Sequence, residues 1–102
     1  MEAYVYILEC SNGSLYTGYT HNLSQRYQAH ISGRARCKYT RSFPPVRMVQ
    51  SWGLTSKSAA LQVEHKIKNL TKAYKLQLIA NPQSLSIMLQ LPELDFAIMG
   101  GM

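Results

Sequence analysis

Acidic residues are the scarcest charged class in this chain: five Asp and Glu among 102 residues, against eleven Lys and Arg. Catalytic centres that hold two metal ions need several clustered carboxylates, and that number cannot supply one. Cysteine is rarer still. Cys10 and Cys37 make neither a disulfide framework nor a zinc cluster and suit a reducing compartment. An intracellular location is therefore expected, cytoplasmic or, in a eukaryotic or viral setting, nuclear. No run of about 18 apolar residues occurs, which excludes a membrane-spanning helix and gives no reason to expect a membrane partner. A strand-like pattern begins at Ala3, directly after Glu2, so no leader segment is expected. Repeats and low-complexity linkers are missing too.

What is present is enough for a core. Hydrophobic residues make up 46% and charged ones 16%, too apolar for intrinsic disorder, and the length suits one domain. Charge is unevenly spread. All eleven bases lie between Arg26 and Lys75, and with Glu64 as the only acid residues 10–92 carry a net charge of +10. Such a field attracts polyanions. The plainer alternative is a globular protein that is merely basic.

Ala3 to Glu9 is rich in β-branched and aromatic residues and reads as a strand. Asn12-Gly13 signals a hairpin that returns through Leu15–Tyr19. Tyr4 and Tyr6 share one face of the first strand; Leu15, Thr17 and Tyr19 share one face of the second, with Tyr16 and Gly18 on the other. A helix capped by Asn22 follows, its apolar positions Leu23, Tyr27 and Ile31, with Gly33 as its stop. Residues 34–45 read as a basic loop closed by two prolines, and Val46–Leu54 as a third strand. Ser56 or Ser58 caps the next helix, whose inward stripe is Ala60, Val63, Ile67 and Leu70. Thr71 caps a short last helix with Leu76 and Ile79, and Asn81-Pro82 ends it. The order β-β-α-β-α-α predicts an α+β domain: a small antiparallel three-stranded sheet flanked by helices. Residues 1–82 form that domain, and 83–102 an apolar extension. There Leu85, Ile87, Leu89 and Leu91 alternate with the period of a strand. The extension either packs on the domain or contacts a partner, a second copy of the chain included.

Glu64 is the one carboxylate inside the basic region, beside the apolar stripe of its helix. A single Mg²⁺ or Mn²⁺ can be held by one carboxylate with water and substrate oxygens, although a surface pair with Lys68 at i+4 explains Glu64 equally well. Four of the seven tyrosines lie on the hairpin strands. A tyrosine acting as general base needs its pKa of about 10 lowered by roughly three units, which nearby Arg and Lys could supply. Gly18 inside a strand signals close approach by another group. Arg26 and His30, four apart, share a helix face and offer phosphate donors and a proton carrier. Arg34, Arg36, Lys38, Tyr39 and Arg41 interleave bases with an aromatic ring, a pattern suited to a nucleic-acid backbone; a solvated basic loop is the competing reading. His21 and His65 fit no metal spacing.

In this order, Tyr4-Val5-Tyr6, Tyr16-Thr17-Gly18, Arg26-x-x-x-His30 and a single helical Glu64 resemble the GIY-YIG nuclease domain over about residues 3–80. Lys38-Tyr39-Thr40-Arg41 adds a likeness to its small stand-alone members, which are similar to the nuclease domain of SLX-type structure-specific endonucleases. The resemblance implies a divalent-metal-dependent endonuclease acting on DNA, with DNA repair as a natural setting. It implies that Tyr16 helps deprotonate the attacking water, that Tyr6 and Gly18 shape the site, and that Arg26 binds the scissile phosphate with His30 beside it. Glu64 then holds the one cation. Two departures stand out: Tyr4 replaces the Gly that opens the founding pattern, and Leu76 and Gln77 occupy the zone where many members carry an Asn. Weak or selective cleavage is one expectation from the second departure; a non-cleaving DNA- or RNA-binding module or an adaptor is the alternative.

Overall fold

The computed structural model describes all 102 residues. Strands β1 (Ala3–Cys10) and β2 (Leu15–Thr20) form the hairpin, turning at Gly13 with a φ of +82° that an L side chain tolerates poorly. Asn12 Oδ1 accepts the Ser14 N–H at 3.2 Å inside the turn. Helix α1 (Leu23–Ile31) starts at Asn22, whose side chain accepts the Gln25 N–H at 3.0 Å. Strand β3 (Pro45–Leu54) pairs antiparallel with β1, which becomes the central strand. Helices α3 (Lys57–Lys68) and α4 (Lys72–Ala80) are capped by Ser56 and Thr71.

Three expectations change. The basic segment 34–45 is not all loop: Lys38–Ser42 forms a short helix, α2. Residues 85–91 are not a strand. After a 3₁₀ turn at Pro82–Ser84, helix α5 (Leu85–Met88) buries Leu85 and Leu89 and leaves Ile87 80% exposed, a spacing of four that the alternation concealed. The sheet has four strands rather than three, in the order β2-β1-β3-β4. Here β4 (Phe96–Ile98) pairs antiparallel with Trp52–Leu54, and the backbone pairing continues past it: Met99 N–H donates to the Ser51 carbonyl at 2.9 Å, and Met102 and Met48 exchange bonds at 2.9 and 3.2 Å.

Strand alternation divides the interior in two. One face of the sheet joins α3, α4 and α5 in an aliphatic core around Trp52, Ile67, Leu78 and Leu85. Trp52 is fully buried and its indole N–H donates to the Pro82 carbonyl at 3.0 Å. The other face carries a smaller cluster of Tyr6, Leu8, Cys10, Leu23 and Met48 beneath α1, with Tyr4, Tyr16 and Tyr27 packed against it. On α1 the deeply buried partner of Leu23 is His30 rather than Ile31, which is 49% exposed. On α4 it is Leu78, while Leu76 is half exposed. A histidine in an apolar position requires partners, and those partners define the site.

Candidate active site

Tyr6 lies opposite Gly18 in the hairpin register, and its ring passes directly over that residue. A β-carbon at position 18 would overlap the end of the Tyr6 side chain, so the glycine is there for close approach. The Tyr6 hydroxyl is 2.9 Å from His30 Nε2 and accepts the Arg26 Nε–H at 3.3 Å. His30 Nδ1 is 2.9 Å from Thr40 Oγ1, and the Thr40 hydroxyl donates to the Cys37 carbonyl at 3.4 Å. One set of directions satisfies every group. Arg26 donates to Tyr6, Tyr6 donates to Nε2, and Nδ1–H donates to Thr40, which passes its own proton to the carbonyl. His30 is then neutral, with its basic lone pair aimed at the Tyr6 proton.

The titration behaviour agrees. Burial, and then the Arg26 charge, lower the His30 pKa to about 4. Burial raises the Tyr6 pKa, against the opposing hydrogen bond and charge of Arg26. Tyr16 was expected to have a lowered pKa; burial raises it instead, and Arg26 offsets this only in part. The Tyr16 ring meets His30 edge-on at 5.5 Å between centroids and stacks on Tyr39 at 6.2 Å. For Cys37, burial raises the pKa, but hydrogen bonds from Tyr16, Thr40 and Tyr39 outweigh it and lower the net value.

Glu64 stands on α3, which packs against β1 and β2 from the opposite side of the sheet. Its charge contributes to raising the Tyr6 pKa, and its side chain, 19% exposed, pairs with exposed Lys68 at 3.7 Å. No group of three or more His, Cys, Asp and Glu side chains gathers anywhere to hold a metal. A lone carboxylate whose partner can swing into solvent nonetheless fits a hard cation that keeps its waters and takes substrate oxygens.

The structure thus brings Tyr6, Tyr16, Gly18, Arg26, His30 and Tyr39 together around the edge strand β2, with Glu64 on the bordering helix. It does not bring Arg34, Arg36, Lys38 or Arg41 into this network; all four are exposed, and Arg34 Nε donates to Ser32 Oγ at 3.0 Å. Two participants escaped the sequence reading. Thr40, which fixes the His30 tautomer, lies 10 positions away on an unforeseen helix. Cys37, the α2 cap beneath Tyr16, looked like a stray thiol, and no spacing signals either role.

The family model described as the GIY-YIG catalytic domain matches residues 2–77, and the chain belongs to the GIY-YIG family, a nuclease family whose members generally use divalent metal ions and bind nucleic acid. Within it, the relatives are small stand-alone UPF0213 proteins. The chain is 45% identical to UPF0213 protein BH0048 of Halalkalibacterium halodurans, covering 78% of this chain and 84% of that one. It is 49% identical to a UPF0213 protein of Syntrophus aciditrophicus, covering 78% and 93%, and 47% identical to UPF0213 protein NP_0776A of Natronomonas pharaonis, covering 76% and 91%. The solution NMR structure of BH0048 superposes with a TM-score of 0.51 over 78% of this chain and 84% of that one. No helix is long and apolar enough to cross a membrane.

Proposed function

We propose that this chain is a divalent-metal-dependent endonuclease that hydrolyses phosphodiester bonds in DNA and selects substrates by structure rather than sequence. The observation that carries this reading is the directed chain Arg26–Tyr6–His30–Thr40. A phosphodiester is cut when water loses a proton as it attacks phosphorus and the developing charge is neutralised. Tyr6 has a proton acceptor behind it, so it can take the water proton while handing its own to His30 Nε2. With a pKa of about 4, His30 is a weak acceptor until negative charge enters the site. The phosphate itself raises the imidazole's proton affinity, so the relay engages with substrate bound. Arg26 spends its Nε on Tyr6, leaving its two terminal nitrogens to contact the scissile phosphate. Tyr16, whose hydroxyl donates to the Cys37 sulfur rather than to His30, lines the site and helps position the water, backed by Tyr39. Glu64 would hold one Mg²⁺ or Mn²⁺, which when bound neutralises charge on the phosphate and leaving oxygen. The exposed cations Arg34, Arg36, Lys38 and Arg41 supply backbone contacts without a base-reading element, in keeping with structure selectivity.

The test is cleavage of single-stranded, flapped and duplex DNA and of RNA, with Mg²⁺, Mn²⁺ or EDTA. Wild type cuts DNA only with metal, Glu64→Gln abolishes cutting, and Tyr6→Phe lowers the rate by about 10²–10⁴-fold, the usual scale of proton-transfer catalysis. Equal cutting by wild type and Glu64→Gln would falsify the assignment. Binding with steep salt dependence but no cleavage would leave the non-cleaving module, which the Leu76-Gln77 departure favours.

A further inference from the structure

The lysines of α3 and α4 belong to none of the groups described so far. Lys72 Nζ donates to the Gly13 carbonyl at 2.8 Å, fastening the start of α4 to the tip of the hairpin. Lys68 borders Glu64. Lys75, one turn along from Lys72, is partly buried, and that burial, then the Lys68 charge, lowers its pKa. The hairpin tip is gripped from its other side as well. Asn12 Nδ2 donates to the Tyr39 hydroxyl at 3.1 Å, and Ser14 Oγ bonds to the same oxygen. Tyr39 belongs to α2, the helix that carries Lys38 and Arg41. One turn of chain therefore stands between two cationic arms, and it joins the strands that carry Tyr6, Tyr16 and Gly18.

From Lys57 to Lys75 five lysines face a single acid, Glu64. A positively charged surface this poor in carboxylates repels itself, and a polyanion laid across it relieves the repulsion. A solvated helix face would not need Lys72 fastened to the hairpin, with Lys75 one turn further along α4 partly buried beside the Lys68 charge.

We propose that Lys68, Lys72 and Lys75 form a second phosphate track, which holds the nucleic-acid backbone on the Glu64 side of the cleavage point, across the hairpin tip from the Arg34–Arg41 arm. The track rests on the nuclease reading for its placement of the strand, but its test needs no cleavage. Because ammonium groups contact phosphates as point charges, the track adds affinity without sequence preference.

Binding of a fluorescent single-stranded DNA is measured by anisotropy in EDTA over a series of NaCl concentrations. Each lost phosphate contact lowers the slope of log K against log salt by roughly 0.7 for single strands. The double variant Lys72→Gln/Lys75→Gln is expected to lose about 1.4 from the slope and to bind about 10-fold more weakly at moderate salt. Lys66→Gln removes a charge from α3 beside a different cleft, lined by His65, Asn69 and Met88, and should leave the slope unchanged. Lys72→Arg/Lys75→Arg should keep the wild-type slope. An unchanged slope in the double Gln variant overturns the track, as does a loss per lysine equal to that of Lys66→Gln. Wild type that binds but never cleaves with metal overturns the nuclease reading alone, since the slopes still decide the track.

Discussion

Along β1 the odd positions Ala3, Val5 and Ile7 join the aliphatic core beneath α3, α4 and α5, whereas the even positions Tyr4, Tyr6, Leu8 and Cys10 face α1. The first face is dry and bulky: its centre is Trp52, and its outermost layer is the 85–89 segment. The second is aromatic and laced with polar groups that accept one another's protons. Strand alternation alone separates a face that holds the fold from the face to which the proposed chemistry belongs. A register slip of one residue would exchange them. Stability and activity should therefore respond to different substitutions.

The largest expected effect is on the dry face. Trp52→Ala leaves a large cavity and abandons the Pro82 carbonyl, costing about 3–5 kcal/mol in urea unfolding. The cleavage rate per folded molecule should stay near wild type. A rate that fell with stability would show the two faces to be coupled.

The next effect belongs to the chemical face and is read with pH. The His30 pKa is about 4 in the fold against an ordinary 6.5, so between those values the unfolded chain binds a proton that the native state refuses. The His30 contribution is therefore intact above about pH 6.5 and is lost as pH falls toward 4, on the order of 2 kcal/mol. Urea melts at pH 7 and 4.5 should show this loss in wild type and its absence in His30→Gln. Equal losses in both would place the titration elsewhere.

The smallest effect on stability sharpens the contrast most. Gly18→Ala pushes against the end of Tyr6 and should cost about 1–2 kcal/mol. The Tyr6–His30 bond breaks, however, and cleavage should fall by about 10²-fold or more, the usual scale for lost proton transfer. Comparing kcat with melting temperature for this variant and for Trp52→Ala gives opposite patterns if the faces are independent.

The hairpin was legible because Asn12-Gly13 names a turn and the flanking residues alternate; α1, α3 and α4 were legible because Asn22, Ser56 and Thr71 are strong caps. The family fold follows from these elements in order, and so do the residue types at the site. Thr40 and Cys37 were hidden because their partners, His30 on α1 and Tyr16 on β2, are brought to them by tertiary packing across a segment with no apolar period. The tail misled for a simple reason: Leu85 and Leu89 satisfy a spacing of two and a spacing of four alike, and only the exposure of Ile87 tells them apart. The raised Tyr16 pKa escaped because counting nearby cations ignores desolvation, which here is the larger influence.

The stitching of residues 96–102 onto β3 has a consequence for solubility. Any open sheet edge can template another chain, and proteins usually blunt both of theirs. Here one side of the sheet ends in three residues of β4 followed by Gly100-Gly101, too short and irregular to recruit a neighbour. The other side ends in β2, a six-residue edge strand that carries Tyr16 and Gly18. The cationic residues beside it repel other copies by charge, so the residues proposed to contact nucleic acid would also act as gatekeepers against self-association. Neutralising them should make the protein stickier to itself as well as poorer at binding.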